Sequence, residues 1–124
     1  LQIYNPNQDI IEASTQPITE YVLDFYSNYN FCWVLTKTKL IQFNSYGNEL
    51  NVYLINDFEA FTYSRNKFLL KKNNKLFVLN ENSKVPKLLT LPKLTIKDFS
   101  VTNETLYIYD GKELSSFKII SKSD

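Results

Sequence analysis

Apolar and polar positions alternate in short bursts along this chain, and the bursts recur. Phe25, Phe61 and Phe99 stand 36 and 38 positions apart, each with an apolar residue three places earlier: Val22, Phe58 and Ile96. An asparagine then opens an apolar run in each unit. Asn30 precedes Phe31-Cys32-Trp33-Val34, Asn66 precedes Lys67-Phe68-Leu69-Leu70, and Asn103 precedes Glu104-Thr105-Leu106-Tyr107-Ile108. Lys39-Leu40-Ile41-Gln42-Phe43 is echoed by Lys75-Leu76-Phe77-Val78-Leu79 and, more loosely, by Leu114-Ser115-Ser116-Phe117. Three anchors agreeing on one period mark an internal repeat.

Each unit reads as short strands rich in Phe, Tyr, Val, Ile and Leu, separated by turn chemistry. The turn signals are Ser27-Asn28-Tyr29-Asn30, Thr36-Lys37-Thr38, Asn44-Ser45-Tyr46-Gly47-Asn48, Lys72-Asn73-Asn74 and Asp110-Gly111. A fourth strand follows at Glu49-Leu50-Asn51-Val52-Tyr53-Leu54 and at Lys87-Leu88-Leu89-Thr90-Leu91, while the last unit shows no clear fourth strand. No helical period is sustained anywhere. Four strands in such a period is the length of one β-propeller blade.

Aligned on the asparagines, Trp33, Leu69 and Leu106 fall at one position of the second strand, and Val34, Leu70 and Tyr107 at the next. A strand apolar on both faces suits a blade held between neighbouring blades. A β-sandwich is the alternative, since short strands with frequent turns also build that fold.

Leu1-Gln2-Ile3-Tyr4-Asn5 matches Leu40-Ile41-Gln42-Phe43-Asn44, which places a third strand at the start of the chain and a fourth around Ile10-Ile11-Glu12. The expected organisation is one all-β domain over 1–124, a partial propeller. It divides into a trailing half-blade at 1–17 and repeats at 18–54, 55–93 and 94–120. Such an arc is expected to be part of a larger ring.

The chain resembles β-propeller repeat proteins on Phe31-Cys32-Trp33-Val34-Leu35, on Leu40-Ile41-Gln42-Phe43-Asn44-Ser45-Tyr46-Gly47, and on Leu106-Tyr107-Ile108-Tyr109-Asp110-Gly111. The resemblance runs from about residue 18 to 120. It is to the broad group that includes outer-membrane-assembly lipoprotein and quinoprotein-type propellers, and more closely to an uncharacterised family of secreted bacterial propellers. That likeness implies a secreted, periplasmic or cell-envelope location and carries no activity with it. The tryptophan–aspartate signature of scaffold propellers and the double glycine of kelch repeats are both absent.

Composition narrows the chemistry. The 124 residues are 44% apolar and 22% charged with net charge +1, the profile of one soluble globular domain. No basic excess marks a nucleic-acid partner, and no apolar run reaches membrane-spanning length. Histidine is absent and glycine occurs twice, which removes His-based triads, the usual zinc sites and glycine-rich phosphate loops. No cofactor and no metal is expected. Cys32 is the single cysteine and reads as a small buried hydrophobe without a base to activate it.

Carboxylates occur in near pairs: Glu20 with Asp24, Asp57 with Glu59, Asp110 with Glu113. Propeller glycosidases work with two or three carboxylates, so a carbohydrate-active enzyme drawing residues from further blades is one functional alternative. An architectural cell-envelope protein is another. Asp24 and Asp98, however, recur beside phenylalanine at matching repeat positions, which points to a structural bond to a turn amide in each blade. The sequon Asn103-Glu104-Thr105 meets the start of a strand expected to be buried.

Lysines mark the turns between second and third strands: Lys37 and Lys39, then Lys71, Lys72 and Lys75, then Lys112. In a propeller these turns share one face, so the lysines form a candidate partner-binding rim for an acidic surface. They also serve as solvated turns that discourage edge pairing. Charge drifts along the chain, from two lysines against seven acids in residues 1–62 to twelve basic against six acidic groups in residues 63–124. The expected function is therefore a non-catalytic protein-interaction or scaffold module. Its expected partner is a protein, a further part of the same propeller, or a second copy in a homo-oligomer.

Overall fold

The computed structural model describes residues 2–5, 10–13, 18 and 20–119. All regular structure there is β. The first hairpin pairs β1 (Gln2–Asn5) with β2 (Ile10–Ala13). Three antiparallel sheets follow, each a meander of consecutive strands. Sheet one holds β3 (Asp24–Ser27), β4 (Phe31–Leu35), β5 (Lys39–Asn44) and β6 (Glu49–Leu54). Sheet two holds β7 (Ala60–Ser64), β8 (Lys67–Lys72), β9 (Lys75–Asn80) and the two-residue β10 (Lys87–Leu88). Sheet three holds β11 (Asp98–Thr102), β12 (Thr105–Tyr109) and β13 (Leu114–Lys118). The architecture is a partial β-propeller. A sandwich does not apply: no strand passes from one sheet to another, and the middle sheet is covered on both faces by its neighbours.

Local chemistry sets the hairpins. Arg65 and Asn66, Asn73 and Asn74, and Asn103 and Glu104 are consecutive pairs with positive φ, the backbone whose twist matches the flanking strands in a two-residue turn. Longer turns are closed by side chains that mimic backbone acceptors. Asn28 Oδ1 accepts from the Asn30 and Phe31 amides, Asn44 Oδ1 from those of Tyr46 and Asn48, and Asp110 Oδ1 from those of Lys112 and Glu113.

The repeat is visible in the backbone. Phe25, Phe61 and Phe99 pair across their hairpins with Val34, Leu70 and Ile108. The amides of Leu23, Glu59 and Lys97 bond to the carbonyls of Leu35, Lys71 and Tyr109. This register corrects one expectation. The partner of Trp33 and Leu69 in sheet three is Tyr107, and Leu106 takes the place of Cys32 and Phe68. Asn66 is the second residue of its turn whereas Asn103 is the first. Aligning on asparagine therefore slips the third strand pattern by one residue, which exchanges its two faces.

The sheets stack front to back. The front of sheet one (Trp33, Leu35, Leu40, Tyr53) meets the back of sheet two (Phe61, Phe68, Leu70, Leu79) in one buried cluster. The front of sheet two (Leu69, Leu76) meets the back of sheet three (Leu106, Ile108) in another. Trp33 is fully buried, with its ring 4.1 Å from that of Tyr63 and 5.9 Å from that of Phe68. First strands lie side by side, β3 against β7 and β7 against β11.

Asp24 ties two of these strands together. Its Oδ1 accepts from the Phe25 amide at 2.9 Å, and its Oδ2 accepts from the Phe61 amide of the next sheet at 3.1 Å. Asp98 repeats the first bond, to the Phe99 amide at 2.8 Å. The aspartates thus bond strand amides rather than turn amides, and sheet two has Ala60 at the matching position.

Candidate functional site

Turns between second and third strands and the connections between blades meet at one end of the stack. The Ile55 and Asp57 amides bond to the Thr38 and Lys37 carbonyls. Asn74 reaches the next connection, its side chain donating to the Leu94 carbonyl at 2.9 Å and accepting from the Ile96 amide at 2.7 Å. Gly111 turns the third of these loops with φ near +106°, a backbone conformation that suits glycine.

This end carries the six lysines of the candidate rim, and they divide by partner. Lys39 lies 3.6 Å from Glu20, and Lys71 bonds Glu59 at 2.8 Å. Lys72 donates to the Asn56 carbonyl at 3.2 Å and sits 5.0 Å from the centre of the Phe58 ring, a cation–π contact. Lys37, Lys75 and Lys112 are exposed. Half of the rim thus braces the stack, and the other half faces solvent.

Carboxylates on this end are held ionised by their donors. Hydrogen bonds from the Thr38 hydroxyl and the charge of Lys39 lower the Glu20 pKa. The Lys71 ammonium and then the Asn73 amide lower that of Glu59, and the Glu113 and Lys112 amides lower that of Asp110. A general acid needs the opposite shift, so these groups are built as acceptors. Stability follows. A carboxyl whose folded pKa lies below its unfolded value stabilises the fold above that value, and the contribution fades as pH falls through the folded pKa. Melting temperature is therefore expected to drop on acidification from about pH 4.5 downward, the ordinary Glu value. Glu59→Gln is expected to flatten part of that acid limb in a melting series; an unchanged limb contradicts the assignment.

Cys32 is half-buried beside Val34, Ile41 and Phe43, and burial raises its thiol pKa, so it stays protonated. The Tyr63 hydroxyl donates to Glu81 at 2.7 Å; burial first and that carboxylate second raise its pKa. Asn103 is exposed at its turn, so the neighbouring strand does not bury the sequon. Asp57 is exposed in the connection after β6. Among the described residues no group of three His, Cys, Asp or Glu side chains converges on a metal position, and no helix is long and apolar enough to cross a membrane.

Sequence reasoning missed a concave feature of this end. A cleft of about 370 Å³ opens between the β8–β9 turn and the connection from β10 to β11, lined by Asn74, Lys75, Leu89, Leu91, Lys93 and Leu94 among others. Its signal was present in the chain: residues 82–97 hold four lysines and no acid, interspersed with aliphatic side chains.

No family profile and no curated protein matches the sequence. Solved structures do. Hsv2 of Kluyveromyces lactis matches with a TM-score of 0.68 at 16% identity, over 81% of this chain and 33% of that one. Hsv2 of Kluyveromyces marxianus matches with a TM-score of 0.67 at 13% identity, over 81% and 34%. The N-terminal domain of Nup159 matches with a TM-score of 0.56 at 18% identity, over 85% and 32%. These are β-propellers, and the chain spans about a third of their length. They support the propeller fold and not the resemblance to secreted bacterial propellers.

Proposed function

We propose that this chain is a non-catalytic propeller module whose role is protein contact, made through the front of sheet three and the lysine-bearing end. The front of sheet three carries the reading. Tyr107, Tyr109 and Leu114 are 37%, 40% and 66% exposed. The matching residues of sheet one, Trp33, Leu35 and Leu40, are fully buried under sheet two. An apolar face of this kind stays uncovered at a cost and favours association. Asp98, placed as Asp24 is, has one oxygen on its own strand and is positioned to accept an amide from a strand laid against β11.

A further blade, or a second copy joined head to tail, supplies such a surface. Opposite charge in the two halves of the chain favours the head-to-tail arrangement. Lys37, Lys75 and Lys112 extend the contact to an acidic partner in this proposal. Sedimentation equilibrium at micromolar concentration tests it. The wild-type chain is expected to self-associate, and Tyr107→Glu with Leu114→Glu to be monomeric with an unchanged β circular-dichroism spectrum. A wild-type chain that stays monomeric throughout overturns it.

A further inference from the structure

We infer that the cleft beside β10 is a docking site for an acidic peptide segment bearing one bulky apolar anchor. The inference rests on the reading of the chain as a protein-contact module and names the partner chemistry for its lysine-bearing end. Three observations converge on the site. Leu89, Leu91 and Leu94 are half-buried in a concave wall, a shape that receives a side chain rather than projecting one. Lys75 and Lys93 flank that wall, and no acidic residue lines it. β10 is the edge strand of its sheet, so an extended segment laid along it gains backbone pairing as well as the pocket.

Charge selects the occupant. Between residues 82 and 97 the chain carries Lys84, Lys87, Lys93 and Lys97 with no compensating carboxylate, all four exposed. An acidic peptide is drawn to this field and a basic one is repelled. An anionic membrane shares the charge preference but requires apolar groups that protrude. Here Leu89, Leu91 and Leu94 are recessed, and only Leu88 at the cleft's edge and Val85 beside it are exposed aliphatics of the segment. Asn74 holds the connection that forms the wall through its bonds to Leu94 and Ile96, so the cleft is preformed and little ordering is needed on binding.

Fluorescence anisotropy with labelled Glu/Asp-rich peptides tests the inference. One peptide carries a central Leu, one a central Phe, one a central Ala, and a fourth has Lys in place of every acid. The Leu and Phe peptides are expected to bind, more weakly as salt rises. The Ala peptide is expected to lose about tenfold in affinity and the Lys peptide all binding. Lys75→Glu with Lys93→Glu is expected to abolish binding while leaving the melting temperature unchanged, and Lys118→Glu, at an exposed lysine outside the cleft lining, to retain it. The inference is overturned if no acidic peptide binds or if binding survives Lys75→Glu with Lys93→Glu. It is also overturned if those substitutions instead remove binding to phosphatidylserine vesicles that the peptides do not compete for. Self-association through sheet three is read separately. A chain that associates there and ignores every peptide overturns the cleft assignment alone.

Discussion

Trp33→Ala is expected to destabilise the fold by about 3–5 kcal/mol, the range for deleting a large buried aromatic side chain. The indole is fully buried between sheets one and two and contacts rings from both. Its loss opens a cavity in the larger of the two inter-sheet clusters, where neighbouring strands are pinned by hairpin registers and relax little. Trp33→Phe is expected to cost much less. It keeps an aromatic ring against Tyr63 and removes an Nε1–H that has no hydrogen-bond partner among the described residues. Urea denaturation of the two variants checks the order. Equal and small losses, below about 1 kcal/mol, contradict burial between sheets.

Asn74→Ala is the second large effect, expected at about 2–5 kcal/mol. Two costs add. Alanine at φ near +60° loses about 1–2 kcal/mol relative to a residue that tolerates the left-handed region. Removing the amide also strands the Ile96 N–H, which belongs to a buried residue, at about 1–3 kcal/mol. Asn74→Gly separates the two, since glycine relieves the backbone but restores neither bond. It is expected to be about 1 kcal/mol milder than Asn74→Ala. Denaturation curves showing Asn74→Gly as stable as wild type remove the clamp from the account.

These two residues also show what the sequence made legible. Trp33 sits in a run apolar on both faces, and burial on both sides of a strand is a local pattern. The spacing of Phe25, Phe61 and Phe99 survives as an equivalent register in three sheets. By contrast, Asn74 reads in sequence only as a turn residue. Its bonds span 20 and 22 positions, and they form because blade stacking brings the β8–β9 turn to a connection without periodicity of its own. The third strand pattern was misplaced by one residue for a related reason: asparagine is suited to either central position of such a turn, so it fixes the turn and not the register. That the turn lysines share one end was legible, but their division by partner was not. Lys39, Lys71 and Lys72 find partners in connecting segments, and those segments take their positions from packing.

Front-to-back stacking of the blades is the claim on which the site, the exposed third face and the cleft all depend. Nuclear Overhauser contacts from the Trp33 indole test it most directly, because the chain has a single tryptophan and its signals need no deconvolution. The structure predicts cross-peaks to Tyr63 and Phe68 of sheet two, whose ring centres lie 4.1 Å and 5.9 Å away, alongside those to Tyr26 and Phe31 of its own sheet. Cross-peaks confined to Tyr26 and Phe31 contradict it.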